Sequence, residues 1–247
     1  QLEILRRHSA EIRKRDGKPV QTTVSEGEVI INNHGPADVA VVELAVLALD
    51  SAAPLYGRVA AIYTLNQLAG ESARELLLKF SEDADVREFA LRALTDRKAG
   101  LDKLPLEPFI VALKDKNPRV RGQALICLGR IGRSEAGESI LPLTTRATYQ
   151  PKPTAEPLYK QADPGRVIPH LAVRALQNTN SVEACLKALE GPYSAGALWA
   201  LKYMHSEAAV SGLITGLSSV RNAETRQDIL TTLIRLYFRE GDYTGGW

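Results

Sequence analysis

Apolar residues recur along most of the chain at the three- and four-residue spacing of an amphipathic helix, and the recurrence itself repeats. Asn117-Pro118-Arg119-Val120-Arg121 opens a segment in which Ala124, Leu125, Leu128 and Ile131 fall on one face. Asp83 to Leu94 matches it 34 residues earlier, with Val86, Arg87, Ala90, Leu91 and Leu94 in the same places. Looser copies keep the small or apolar positions: Arg58 with Ala61, Ile62 and Leu65; Ala172, Val173 and Leu176; Ala197, Leu198 and Leu201; Arg226 with Ile229, Leu230 and Leu233. Taking the Arg121 position as register places the copies at 58, 87, 121, 169, 194 and 226.

Every copy after the first follows a shorter apolar-periodic segment, at 73–80, 106–113, 138–146, 182–189 and 207–217. Gly70, Pro105, Pro118, Gly132 and Gly191-Pro192 punctuate the series. The predicted unit is a helical hairpin. One hairpin cannot bury its apolar face alone, so the copies must stack, and the expected fold is an all-α solenoid of about six hairpins over residues 39–240.

The step between the third and fourth copies is 48 residues and contains 148–164, where Pro151, Pro153, Pro157 and Pro164 abolish any helical period. This segment is expected to be a long, stiff loop. Tyr149, Leu158 and Tyr159 would anchor it to the solenoid, where it forms one rim of a binding site; a tolerated insertion is the alternative. Ahead of the solenoid, residues 1–38 read as a basic helix followed by a small β-hairpin, Val20–Val24 and Val29–Ile31 flanking Ser25-Glu26-Gly27-Glu28. Residues 241–247 read as the start of a linker or following domain. The start at Gln1 and the stop at Gly245-Gly246-Trp247 are read as those of an excised or processed piece of something longer.

With 45% hydrophobic and 24% charged residues over 247 positions, the composition is that of a folded chain, and no apolar run is long enough for a membrane span. Six basic against three acidic side chains make residues 1–20 formally +3, which leaves −1 for the remainder. So near-neutral a body suggests no broad cationic face for a phosphate backbone, and no specific nucleic-acid binding is expected. The two cysteines, Cys127 and Cys185, have neither a CxxC nor a Cys/His ligand spacing, so no zinc or haem site is encoded; Cys185 reads as a small buried hydrophobe.

The Asn117 to Gly129 segment, of the form D/N-P-x-V-R-x-x-A-L-x-x-L-G, resembles the second helix of a HEAT repeat, in particular the short bacterial kind found in phycobilin lyases. The resemblance implies a right-handed solenoid whose second helices line the concave side. It also implies that Arg87 and Arg121, with Asp83 and Asn117 at the helix openings, form hydrogen-bond ladders between repeats. The segment from Thr225 to Gly241 is similar to the HEAT segment of large exported planctomycete-type proteins that also carry a sugar-dehydrogenase-like propeller and a c-type cytochrome. That likeness implies a periplasmic or extracellular setting, with haem and dehydrogenase chemistry outside this stretch and no cofactor within it.

HEAT-like folds include enzymes. The iron hydroxylase of this architecture needs His-Glu pairs, whereas His8, His34, His170 and His205 precede Ser, Gly, Leu and Ser. A DNA glycosylase would need a cationic groove; a chromophore lyase is neither supported nor opposed by any residue. No G-x-S-x-G, P-loop or H-E-x-x-H occurs. Gly191 to Gly196 is a near miss to the first and reads as a Gly-Pro helix entry. Candidate catalytic and metal-ligating residues are therefore none. What remains is surface. Position 126 lies nearly opposite the apolar sector, and in the six copies it holds Tyr63, Arg92, Ile126, Arg174, Trp199 and Thr231. Aromatic and arginine side chains are enriched at binding hot spots, so this row is the candidate partner-binding groove. The alternative is that Tyr63 and Trp199 cover core edges or pack on the inserted loop. Function is accordingly expected to be protein binding or scaffolding, without catalysis.

Overall fold

The helices begin and end where short-range chemistry tells them to. In the computed structural model, which describes residues 21–25, 28–32, 36–145, 164–238 and 244–245, the helix Pro118–Ile131 is the clearest case. The Asn117 side chain accepts from the Arg119 amide at 3.0 Å, and Pro118 supplies the preset φ of a first turn. Gly132, at φ 75°, closes the helix by donating to the Leu128 carbonyl at 3.0 Å. The helix Pro164–Asn178 ends differently. Asn180 takes the left-handed conformation at φ 50°, and the Ser181 amide reaches back to the Leu176 carbonyl while Asn180 reaches Gln177. Asn is the residue after Gly that best tolerates this geometry.

The chain divides into two compact units, residues 1–104 and 105–247, so the span expected to be one solenoid runs across this division. In the first unit, α1 (Pro36–Leu49) packs on α2 (Leu55–Ala69), α2 on α4 (Arg87–Thr95), and α3 (Arg74–Phe80) on α4. Its core is Ala61, Ile62, Leu65, Leu76, Leu77, Phe80, Ala90 and Leu91, each buried. A helix thus precedes the first copy as well as the later ones. The backbone of β1 (Gln21–Ser25) and β2 (Glu28–Asn32) is laid antiparallel, Thr23 opposite Ile30. A two-stranded ribbon is marginal in water by itself and no side chain of either strand is described. The expected N-terminal β-hairpin is therefore not a supported part of the fold, which rests on its helices.

In the second unit the hairpins form two layers. The second helices, α6 (Pro118–Ile131), α8 (Pro164–Asn178), α10 (Ser194–Leu201) and α12 (Ala223–Tyr237), pack each on the next. The first helices are α5 (Glu107–Ala112), α7 (Gly137–Ile140), α9 (Val182–Lys187) and α11 (Glu207–Ser219), with α9 against both α7 and α11. Leu125, Leu128, Ile140, Leu176, Leu198, Leu213 and Ile229 fill the space between layers. At Gly196 the backbone of α10 comes so close to the 3-10 turn Leu141–Thr144 that a Cβ would overlap the side chain of buried Thr144. A buried hydroxyl pair, Thr179 and Ser181 at 2.7 Å, bonds onward to the Ser134 carbonyl at 3.2 Å, tying the α8–α9 turn to the preceding hairpin.

Among the described residues no helix is long and apolar enough to cross a membrane. The basic segment 1–20 and the residues of the proline-rich insertion up to 163, with Tyr149, Leu158 and Tyr159, lie outside the described residues, as does most of 241–247.

Candidate binding surface

The six register positions sit on α2, α4, α6, α8, α10 and α12, one on each second helix, two in the first unit and four in the second. In the first unit the structure brings Tyr63 and Arg92 together. The Arg92 guanidinium carbon lies 5.9 Å from the Tyr63 ring centroid, and its Nε is 3.8 Å from Asp96 Oδ1. The Tyr63 hydroxyl is buried, and burial pushes the phenol above its ordinary value although Arg92 beside it pulls the other way.

In the second unit, Ile126 is 37% exposed among buried neighbours and Arg174 is exposed, its Nη1 donating to Gln177 Oε1 at 3.2 Å. Thr231 is exposed too, but its hydroxyl folds back onto its own helix, donating to the Gln227 carbonyl at 3.0 Å. Trp199 is half-buried, with its ring centroid 6.3 Å from that of His170 and tilted at 52°. The two aromatic members of the row, Tyr63 and Trp199, are therefore both half-buried. A helical register marks only the direction of a side chain; its burial depends on how near the next helix comes.

Three contributors went unread in the sequence: His170, Tyr203 and Arg235. Arg235 stacks over Tyr203, guanidinium carbon to ring centroid 5.2 Å, and Tyr203 is 51% exposed. Each lies four residues from a register position (174, 199 and 231), so extending the row by one turn in either direction would have found them.

The four expected ladder residues divide. Asp83 does bond to the preceding hairpin, but its partner is Arg58 on α2, 2% exposed, which also donates from Nε to the Ala48 carbonyl at 2.9 Å. Burial alone would raise the Asp83 carboxyl. The hydrogen bond from Arg58, the Asp85 amide, and the charges of Arg58 and Arg87 outweigh it and hold the carboxyl below its ordinary value. Arg121 donates from Nη1 to the carbonyls of Asp115 and Lys116, at 2.8 and 3.1 Å, on the turn entering its own helix. Asn117 caps that same helix. Arg87 likewise reaches the Ser81 and Glu82 carbonyls at 2.8 Å each. A side chain in the first turn points back towards the N-terminus, so the nearest unpaired carbonyls are those of its own entry turn.

Among the described residues no group of three or more His, Cys, Asp or Glu could hold a metal ion. Cys127 and Cys185 are buried free thiols, and desolvation pushes the Cys185 thiol up to about 12.

Residues 72–152 match the family model for HEAT repeats, and the stacked helical hairpins fit a solenoid fold. No curated protein matches it. Among solved structures, an engineered protein from a structural genomics consortium is 19% identical, covering 80% of this chain and 96% of its own, with a TM-score of 0.43. The complex of CpcE and CpcF of phycocyanin lyase from Nostoc sp. PCC7120 is 16% identical, covering 87% of this chain and 99% of its own, with a TM-score of 0.36.

Proposed function

We propose that this chain is a non-catalytic interaction module that docks other domains of a larger exported polypeptide, in the periplasm or outside the cell, and that it holds no cofactor of its own. The observation that supports this reading is the HEAT-repeat match together with the second-helix face, where arginine and aromatic side chains stand beside one another on consecutive hairpins. Stacked hairpins suit docking because each is stabilised by its neighbours, which leaves a long face free for a partner. The right-handed course of about six hairpins, the N-terminal β-hairpin and the insertion as one rim of the site belong to the same proposal, as does the likeness to planctomycete-type multidomain proteins.

Titrating the chain, by calorimetry, with separately produced flanking domains of its parent polypeptide tests it. Saturable binding weakened by Arg174→Ala is the expected result. A chain indifferent to those domains that instead accelerates bilin attachment to an apoprotein would overturn the proposal in favour of a lyase.

A further inference from the structure

The near-neutral body conceals a separation of charge between the two layers of the second unit. The four second helices carry seven arginines against Glu224 and Asp228, formally +5, and no acid at all occurs on α6, α8 or α10. The first helices and their 3-10 extensions carry Glu107, Glu135, Glu138, Glu183, Glu190 and Glu207 against Lys187 alone, formally −5. A sum over the sequence cancels the two; the fold places them on opposite layers.

The cationic layer has a grain. On α6, Arg119, Ile126 and Arg130 are exposed at i, i+7 and i+11, which is one helix face. On α8, packed beside it, Val167, His170 and Arg174 are exposed at i, i+3 and i+7. Gly122 lies against Leu171 and Gly129 against Ala175 and Asn178, which sets Val167, 36% exposed, level with Arg119 and Ile126, 37% exposed, level with Arg174, so aliphatic and basic side chains alternate along this face. We propose, resting on the interaction reading above, that this face of α6 and α8 binds an acidic polypeptide segment, its carboxylates drawn to Arg174 by the positive charge of the layer and its apolar side chains placed on Ile126 and Val167 in turn.

Two features favour a peptide over single-stranded nucleic acid. Base stacking needs open ring faces. α6 and α8 carry no Phe, Tyr or Trp, and the open rings of Tyr237 and Phe238 lie apart from them at the end of α12. The exposed apolar side chains of this face, Ile126 and Val167, are aliphatic, which suits Leu or Val. Planar guanidinium forks match carboxylates in two-point geometry, and charge complementarity of this kind sets association rate and salt dependence.

The test uses the full chain and a fluorescein-labelled peptide of Glu and Leu, with Gln-for-Glu and Lys-for-Glu versions and an oligothymidylate strand, read by anisotropy. The acidic peptide should bind, weaken as salt rises from about 0.05 to about 0.3 M, and lose about tenfold or more on Arg174→Glu. Lys187→Glu, the same charge change on the other layer, should leave it unaltered; far-ultraviolet circular dichroism checks that both variants fold. Equal binding of the Gln peptide, or preference for the Lys peptide, overturns the acidic partner while the interaction reading stands. Tighter binding of the oligothymidylate overturns it in favour of nucleic acid. Failure of every peptide overturns it and removes support from the interaction reading as well.

Discussion

Arg58 and Asp83, 25 residues apart, join two successive hairpins of the first unit through a charge-assisted hydrogen bond from the α2 side chain to the carboxylate at the entrance of α4. The arginine is buried and the acid is 35% exposed. The pair therefore lies between the surface case, where an ion pair contributes little, and the fully buried case, where losing one partner strands a charge.

Asp83→Ala should destabilise the protein by about 3 kcal/mol, at the low end for a buried pair because water reaches the acid side. Arg58→Met removes the charge with the carboxylate left to solvent and should cost less. Urea midpoints at unchanged slope measure both; equal costs would mean that the loss is one of packing.

The same pair fixes a pH dependence. The Asp83 carboxyl is held below its ordinary 3.8 in the folded protein. A depressed folded value contributes stability that is complete above the unfolded value and is lost as pH falls through the folded one. Wild-type stability should therefore fall on acidification below about pH 5, more steeply than that of Asp83→Asn, which has no such proton to bind. Parallel curves would remove Asp83 from the acid transition.

Gly196→Ala tests a close approach. Alanine is the better helix former by about 1 kcal/mol, yet its Cβ would overlap the side chain of Thr144, whose hydroxyl is fixed to the Leu141 carbonyl at 2.7 Å. Overpacking of this kind costs about 1–3 kcal/mol, so the net effect is destabilising. A raised melting temperature would show that the turn yields freely.

Arg174→Ala should leave stability within about 0.5 kcal/mol, because the side chain is exposed. Trp199→Ala should cost about 2 kcal/mol, below the value for a fully buried ring, through loss of its half-buried contacts. Each should also weaken partner binding by about 1–2 kcal/mol. If Trp199→Ala proves neutral for folding, the ring belongs to the surface alone.

Cys185, buried and with its thiol pushed up to about 12, should resist a thiol reagent at pH 8 in the native protein and react at once in denaturant. Rapid native labelling at Cys185 would contradict the closed packing around it.

Helix positions, their pairing into hairpins and the repeat register were legible in the sequence because their causes are local. The Asn117-Pro118 entry, the Gly132 exit and the A-L-x-x-L stripe act within a few residues of one another. The positions Tyr63, Arg92, Ile126, Arg174, Trp199 and Thr231 lie one on each second helix for the same reason. Which of those side chains are covered was not legible, since burial of Tyr63 and Trp199 depends on the neighbouring helix and on no feature of their own. The partner of Asp83 was decided by tertiary structure as well: Arg58 reaches it across a hairpin, while Arg121, in the register of the expected ladder, satisfies the carbonyls nearest to it. The cationic second layer was likewise invisible to a net charge, because summation discards position, and only the stacking of hairpins assigns the arginines to one layer and the glutamates to the other.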